Sequence, residues 1–342
     1  MKFGLFGGAK ASRGGPTSDS HGYRDFIDYV MEAEELGFHS SFLVEHHFTG
    51  YGQVSASLSL LSFLAARTSA MRLGTAVVVL PWHNPVLLAE QVATLDLLSN
   101  GRVDFGVGKG YRAPEFEGFC IPQGEATERF DEAVEVIKKA WTATGRFSHH
   151  GKRWHFENVV VEPAPVQKPY PPFWMGAGSP ESIARAAREG YNLLLDQIGS
   201  IDLTIDRVAA FKAECDRIGR PHDPMKVGVT RALYIVMTEE ERQKAYAMRA
   251  QQIRTIGGIA RGPGAERYHN PSNFADTNIA DEDAALLGTP DEIIARLKRL
   301  EAGGVENVLL ADATASKRSL RIFASEIMPA FRSPAHLKRV AE

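Results

Sequence analysis

The chain has 342 residues, of which 44% are hydrophobic and 24% charged, the balance of a globular protein with a large buried core. A net charge of −3 leaves no basic footprint for nucleic acid and no polybasic face for a membrane surface. No apolar stretch approaches the about 20 residues that cross a bilayer, and the two cysteines, Cys120 and Cys215, fit a reducing cytoplasm and form no metal-ligand spacing.

Met1 to Gly7 is too short an apolar run for a signal peptide and reads as a first strand, Lys2–Phe6. Further strands are expected at Ser40–Val44, Arg72–Val78, Arg102–Val107, Phe173–Ala177, Tyr191–Leu195, Val227–Val236 and Val305–Leu310. Helical patterns fill the intervals. Tyr23–Leu36 places Phe26, Ile27, Val30, Ala33 and Leu36 on one stripe and stops at Gly37. Pro85–Leu98 begins on proline and ends before Asn100-Gly101. The others are Ser55–Thr68, Glu125–Ala143, Pro180–Arg188, Asp202–Ile218, Glu239–Ile256, Pro290–Ala302 and Ser316–Pro329. Strand followed by helix along the whole length argues parallel strands with crossover helices. Eight strands without a composition break favour one (β/α)8 barrel domain spanning 1–342 over an open doubly wound sheet.

Two segments interrupt the alternation. After the fourth helix, Phe147 to Phe156 reads as a hairpin turning at His150-Gly151, its histidines facing solvent, before the connector Glu162-Pro163-Ala164-Pro165. Gly257 to Leu286, after the seventh strand, is rich in Gly, Pro, Asn, Asp and Ala. A loop of that length in a barrel, overhanging the carboxyl ends of the strands, is expected to be a mobile lid.

The second strand ends in Glu45-His46-His47-Phe48-Thr49-Gly50. Titratable groups at the carboxyl end of a buried parallel strand are where such enzymes keep their chemistry. A lone histidine there would read as structural, but an acid and two imidazoles in one turn favour catalysis. The fifth strand runs into Gly176-Ala177-Gly178-Ser179-Pro180-Glu181-Ser182. Small residues, free N–H groups at a helix start and two hydroxyls suit a phosphate, although a plain serine cap fits the same letters equally well. Gly106-Val107-Gly108-Lys109-Gly110 after the fourth strand clears side chains from the mouth and offers one cation. Neither glycine string is a Walker loop or a dinucleotide fingerprint.

Taken in order, the motifs resemble the bacterial luciferase-like flavin monooxygenases over nearly the full chain. The matching segments are Met1-Lys2-Phe3-Gly4, Glu45-His46-His47-Phe48-Thr49, Leu73 to Pro81, Ala89 to Arg102, Gly178-Ser179 and Gly288-Thr289-Pro290-Asp291-Glu292. The resemblance implies a TIM barrel. It implies that His46 is the catalytic histidine beside the flavin; Glu45, also a catalytic-site candidate, is expected to orient His46 or to satisfy buried donors, and His47 to be structural. It implies that Lys109, Gly178, Ser179 and Ser182 hold the FMN phosphate, and that Ala76-Val77 is a non-proline cis peptide against the isoalloxazine ring. Asp196 and Gln197 are expected near the ring edge.

The activity so implied is oxygenation of a small organic substrate by O2 and FMNH2 through a flavin (hydro)peroxide, the FMNH2 coming from a separate NAD(P)H–flavin reductase. No segment resembles an NAD(P)H site. Luciferase α subunits carry cysteine where Gly108 stands and arginine where Lys109 stands, so a non-luminescent member is expected. Phe6, Tyr51, Trp82, Tyr111, Tyr234 and Phe274 are candidates for an apolar pocket. Paired barrels are common in the family, with Ser55–Thr68 and Pro85–Leu98 the expected interface of a homodimer. Two alternatives stay open: hydride transfer with a deazaflavin on the same barrel, and a flavin-binding protein without catalysis.

Overall fold

A computed structural model describes residues 1–11, 19–50, 52–261, 282–312 and 314–332. The strands in chain order are β1 Lys2–Gly7, β2 Ser40–Leu43, β3 Arg72–Thr75, β4 Val78–Val79, β5 Val103–Gly108, β6 Phe147–His150, β7 His155–Val159, β8 Phe173–Gly176, β9 Asn192–Leu195, β10 Val227–Ile235, β11 Ala285–Gly288 and β12 Asn307–Asp312. The helices are α1 Asp19–Glu35, α2 Ser57–Arg67, α3 Pro85–Leu98, α4 Ala113–Gly118, α5 Ala126–Thr142, α6 Pro180–Arg188, α7 Ile201–Arg217, α8 Glu239–Arg261, α9 Pro290–Ala302 and α10 Lys317–Ile322.

Parallel pairing runs β1-β2-β3-β5-β8-β9-β10-β12 and returns to β1, which closes an eight-stranded barrel with β4 extending the β3 position. Closure rests on β10, whose start pairs with β9 through Val227 and whose middle pairs with β12 through Thr230. Alternate residues of each strand face two different cores. Phe3, Leu5, Leu73, Val229, Val308 and Leu310 pack outward against the helices. Phe42, Trp174, Leu194 and Leu309 fill the barrel interior, with Phe6, Ala76 and Val77 above them. At the amino-terminal end Asp104 accepts from Arg72 Nε at 2.6 Å and from Trp174 Nε1 at 2.9 Å, a buried polar plug with its bonds satisfied. The opposite end, where Phe6, Val77, Gly108 and Gly176 are more open, is the mouth.

The expected third strand, Arg72–Val78, is two: β3 and β4 flank the Ala76–Val77 peptide, which is cis. The expected loop from Gly257 to Leu286 shortens at both ends, since α8 continues to Arg261 and β11 begins at Ala285 beside β10; 262–281 lie outside the described residues. In the hairpin after α5, His150 remains in β6 opposite His155, so the turn follows Gly151. His149 does not face solvent: it is buried, with Nε2 3.3 Å from Glu132 Oε1, which also accepts the Trp154 N–H at 2.7 Å. Alternation along the strand, rather than the turn, decides where that imidazole points.

Candidate active site at the barrel mouth

Val44 to Thr49 follows β2. His46 is anchored by its backbone N–H to the Val54 carbonyl at 2.9 Å. Its Nδ1 lies 3.1 Å from Glu115 Oε1 on α4, a carboxylate only 3% exposed, which also accepts the His47 N–H at 2.9 Å. An ionised carboxylate only accepts, so Nδ1 carries the proton and Nε2 is the acceptor nitrogen. Nε2 has no hydrogen-bond partner among the described residues. Burial is the largest influence on this imidazole and pushes its pKa below 6.5; Glu115 pulls it up and the Arg112 charge pushes it down again.

Glu45 does not hold His46. Its carboxylate is 2% exposed and accepts from His47 Nε2 at 2.9 Å, from His83 Nε2 at 2.8 Å and from the Val79 N–H at 3.3 Å. Burial raises its pKa, but those donors outweigh burial and leave it below 4.5. It ties the β2 end to the turn after β4. His47 also meets Phe119 edge-on at 4.8 Å, and Phe119 stacks on Trp82 at 5.2 Å. The supporting roles thus pass to Glu115 and His83, which sequence reading missed. Glu115 comes 69 positions after His46, and no local pattern marks a contact of that separation. Among the described residues no group of three or more His, Cys, Asp or Glu is placed to hold a metal ion.

The remaining expected residues follow around the mouth. The cis Ala76–Val77 peptide lies on β3–β4, next to the β2 end. A Cβ on Gly108 would lie 2.5 Å from Val77 Cγ2, so glycine lets β5 pass beneath this turn. Lys109 is exposed, its Nζ 3.3 Å from the Thr127 hydroxyl. On the neighbouring strand end Ser179 caps α6: its Oγ accepts the Ser182 N–H at 3.3 Å, and Ser182 Oγ accepts the Ser179 N–H at 3.1 Å. The cap reading of these letters is what forms, at an exposed helix start. The Arg207 guanidinium lies against Gly178, 3.3 Å from where a Cβ would stand, and adds a cation that sequence reading missed. Asp196 is committed to its own turn, accepting from Ile198 and Gly199 N–H at 2.8 and 3.1 Å and pairing with Arg207 at 3.0 Å. Gln197 presents its carbonyl to Arg249 on α8 at 3.3 Å. Of the candidate pocket aromatics, Phe6 floors the mouth, Trp82 belongs to the stack over His47 and Tyr234 is buried under α8, while Tyr51 and Phe274 lie outside the described residues.

His46, Ala76-Val77, Lys109 and Gly178-Ser179 therefore follow the carboxyl ends of β2, β3, β5 and β8, consecutive strands of the ring. A closed parallel barrel with an imidazole and a capped helix start on one arc of its mouth has the (β/α)8 architecture that enzymes use. Residues 1–307 match the luciferase-like monooxygenase family, and the chain belongs to it. A segment of 185 residues is 35% identical to "Uncharacterized protein y4vJ" of Sinorhizobium fredii, covering 54% of this chain and about half (52%) of that protein. Over 90% of both chains it is 28% identical to the oxygenase component of a flavin-dependent trigonelline monooxygenase of Acinetobacter baylyi. It is also 26% identical, over 93% of this chain and 97% of the other, to an F420-dependent glucose-6-phosphate dehydrogenase of Amycolatopsis mediterranei. Among solved structures the monooxygenase RslO1 of Streptomyces bottropensis superposes with a TM-score of 0.82 at 27% identity, covering 97% of this chain and all (100%) of that one. The chain is an oxidoreductase of this family, with a flavin-type cofactor.

Proposed function

We propose that this protein is the oxygenase component of a two-component FMNH2-dependent monooxygenase, acting on a small organic substrate with O2, its reduced flavin delivered by a separate NAD(P)H–flavin reductase. The observation that supports this reading is the contiguous arc β2-β3-β5-β8, with the His46 imidazole after its first strand and the capped α6 start at Ser179 after its last. The donor set fits FMN. Lys109, the α6 N–H groups, the Ser179 and Ser182 hydroxyls and Arg207 suit a phosphate dianion, and Val77 offers an apolar face to a flat ring.

Bound FMNH2 supplies the electrons that activate O2. The protein's own part is positional and protonic. Glu115 fixes the His46 tautomer, so Nε2 takes up or returns a proton at the substrate. A depressed pKa keeps that nitrogen unprotonated at neutral pH. Phe6 and Val77 give the mouth an apolar floor that limits water at the reacting atoms. Glu45 keeps the β2 and β4 ends in register beneath this assembly. We further propose a cytoplasmic homodimer joined through α2 and α3, whose outer faces expose Phe63, Leu87, Leu97 and Leu98.

A relative that is an F420-dependent dehydrogenase keeps deazaflavin hydride transfer as the second reading. Titration with FMN and with F420, followed by anaerobic reduction and oxygen exposure with a carbonyl and thioether panel, separates the two. FMN binding with oxygen-dependent product supports the proposal; tight F420 binding with oxygen-independent alcohol oxidation overturns it.

A further inference from the structure

Across the mouth from His46 lies a buried cation with no counter-ion among the described residues. Arg249 is 4% exposed, yet no carboxylate among the described residues reaches it. One Nη donates to the Gln197 carbonyl at 3.3 Å, the guanidinium also bonds the Tyr234 phenol, and the Nε–H has no acceptor among the described residues. The Tyr234 phenol adjoins the guanidinium and is itself engaged, donating to Gln252 Oε1 at 2.5 Å. Tyr234 can therefore orient Arg249 but cannot neutralise it.

The neighbouring guanidiniums differ. Arg231 is also buried and its Nε–H likewise has no acceptor among the described residues, but both of its Nη groups are held, donating to the Gly199 carbonyl at 2.6 Å, the Ser200 carbonyl at 3.3 Å and the Thr204 hydroxyl, which fixes β10 to α7. Arg207 has Asp196 at 3.0 Å. Arg249 alone of the three has neither a carbonyl cage nor an acid. A cation taken out of water is costly to bury unless it is paired, and a planar guanidinium with an unbonded N–H is suited to accept a carboxylate. Its place is informative. Gln197 follows β9, and β9 is separated from β2 by β3, β5 and β8 one way round and by β10, β12 and β1 the other. Arg249 and His46 therefore stand on opposite rims of the barrel, and the cofactor cradle at β5 and β8 lies between them on one side only.

We propose that Arg249 is the specificity residue of this site and receives an anionic group of the substrate, a carboxylate or a sulfonate, while the reacting end lies toward His46. The inference rests on the oxygenase reading insofar as it places substrate in the mouth. Arg249 serves the substrate rather than the cofactor phosphate, for which Lys109 after β5, Ser179 at the start of α6 and Arg207 on α7 are the proposed ligands.

The test uses the full chain with and without FMN, as wild type, Arg249→Gln and Arg249→Lys. FMN affinity is read by flavin fluorescence, and thermal midpoints are recorded against benzoate and methanesulfonate and against their neutral counterparts benzamide and dimethyl sulfone. Expected are a concentration-dependent rise with the anions only, an apparent anion affinity at least 10-fold weaker in Arg249→Gln and partly kept in Arg249→Lys, and FMN affinity within 2-fold of wild type in both. Equal shifts with anions and neutral counterparts, or full anion binding in Arg249→Gln, overturn the proposal. Loss of FMN binding in Arg249→Gln also overturns it, by assigning the residue to the cofactor. If wild type binds no FMN, the oxygenase reading fails, and the titrations without FMN still decide the role of Arg249. Should Arg249→Gln not fold, the wild-type contrast between anions and neutral counterparts and the Arg249→Lys response decide it.

Discussion

At His46 two influences of opposite sign meet. Burial disfavours the imidazolium, Glu115 favours it, and burial wins. The acid limb of kcat/KM, where Nε2 becomes protonated and lost as a base, is therefore expected below pH 6.5, with activity retained above it. Glu115→Gln keeps a hydrogen-bond acceptor for Nδ1 but removes the charge that raises the pKa, so the limb moves to still lower pH and kcat falls about 10-fold with KM nearly unchanged. A limb that stays in place would assign Glu115 to folding alone. His46→Ala is expected to lower oxygen-dependent product formation by about 100-fold or more, the range of positioned general acid–base groups, with FMN affinity kept. At the cradle, Lys109→Ala removes one charge-assisted contact, about 1.5–3 kcal/mol, so the FMN Kd rises about 10- to 100-fold; Lys109→Arg restores most of it, and a fluorescence titration reads both. His46 and Lys109 were visible in the sequence because each follows a strand. Glu115 and Arg249 were not, because α4 and α8 bring them to the mouth from positions whose local sequence reads only as helix or loop.

Elements with strong periodicity were legible almost to the residue. Pro85–Leu98 forms as expected because Asn84 Oδ1 accepts from Val86 and Leu87 N–H at 3.0 and 3.2 Å, and Asn100 and Gly101 at positive φ turn the chain away. Two short elements escaped, although the equally short β2, β8 and β9 were expected. β11 is four residues long and α4 six, and each is held by its neighbours, β10 and the His46 turn, rather than by its own pattern. The break between β3 and β4 was readable only through family likeness. Glycine at position 106 shows how closely these elements are set: a Cβ there would come within 1.8 Å of the Thr75 carbonyl oxygen, while Thr75 Oγ1 donates to the Gly106 carbonyl at 2.7 Å. Because the obstacle is backbone, no rotamer change relieves it. Gly106→Ala is expected to force β3 and β5 apart and to destabilise the protein by about 1–3 kcal/mol or more, measured as a lower urea midpoint at an unchanged slope. It should also weaken FMN binding, since β3 leads into Ala76-Val77; an unaltered midpoint would show that the two strands can shift independently of the mouth.

For the whole molecule, an ordered set of eight strands pointed to a barrel, but closure depends on pairings such as Lys2 with Asn307, which no local pattern announces. Once closed, the barrel wraps its helices outward, and most turn polar side chains to solvent. The neighbouring helices α2 and α3 depart from this, exposing Phe63 on one and Leu87, Leu97 and Leu98 on the other. Four large apolar side chains on two adjacent helices make the kind of patch that soluble monomers rarely leave uncovered, and a two-fold axis across it lets one patch serve both copies. The proposed homodimer follows from this face, which is turned away from the interior core that floors the mouth. Phe63→Asp combined with Leu98→Asp places like charges on both sides of the axis, so the protein should sediment as a monomer at concentrations where wild type is a dimer. Each chain should keep its FMN affinity, because no residue of the β2-β3-β5-β8 arc lies on α2 or α3. A wild type that sediments as a monomer at about 10 µM removes the proposed interface, and loss of FMN binding on dissociation would show instead that pairing shapes the mouth.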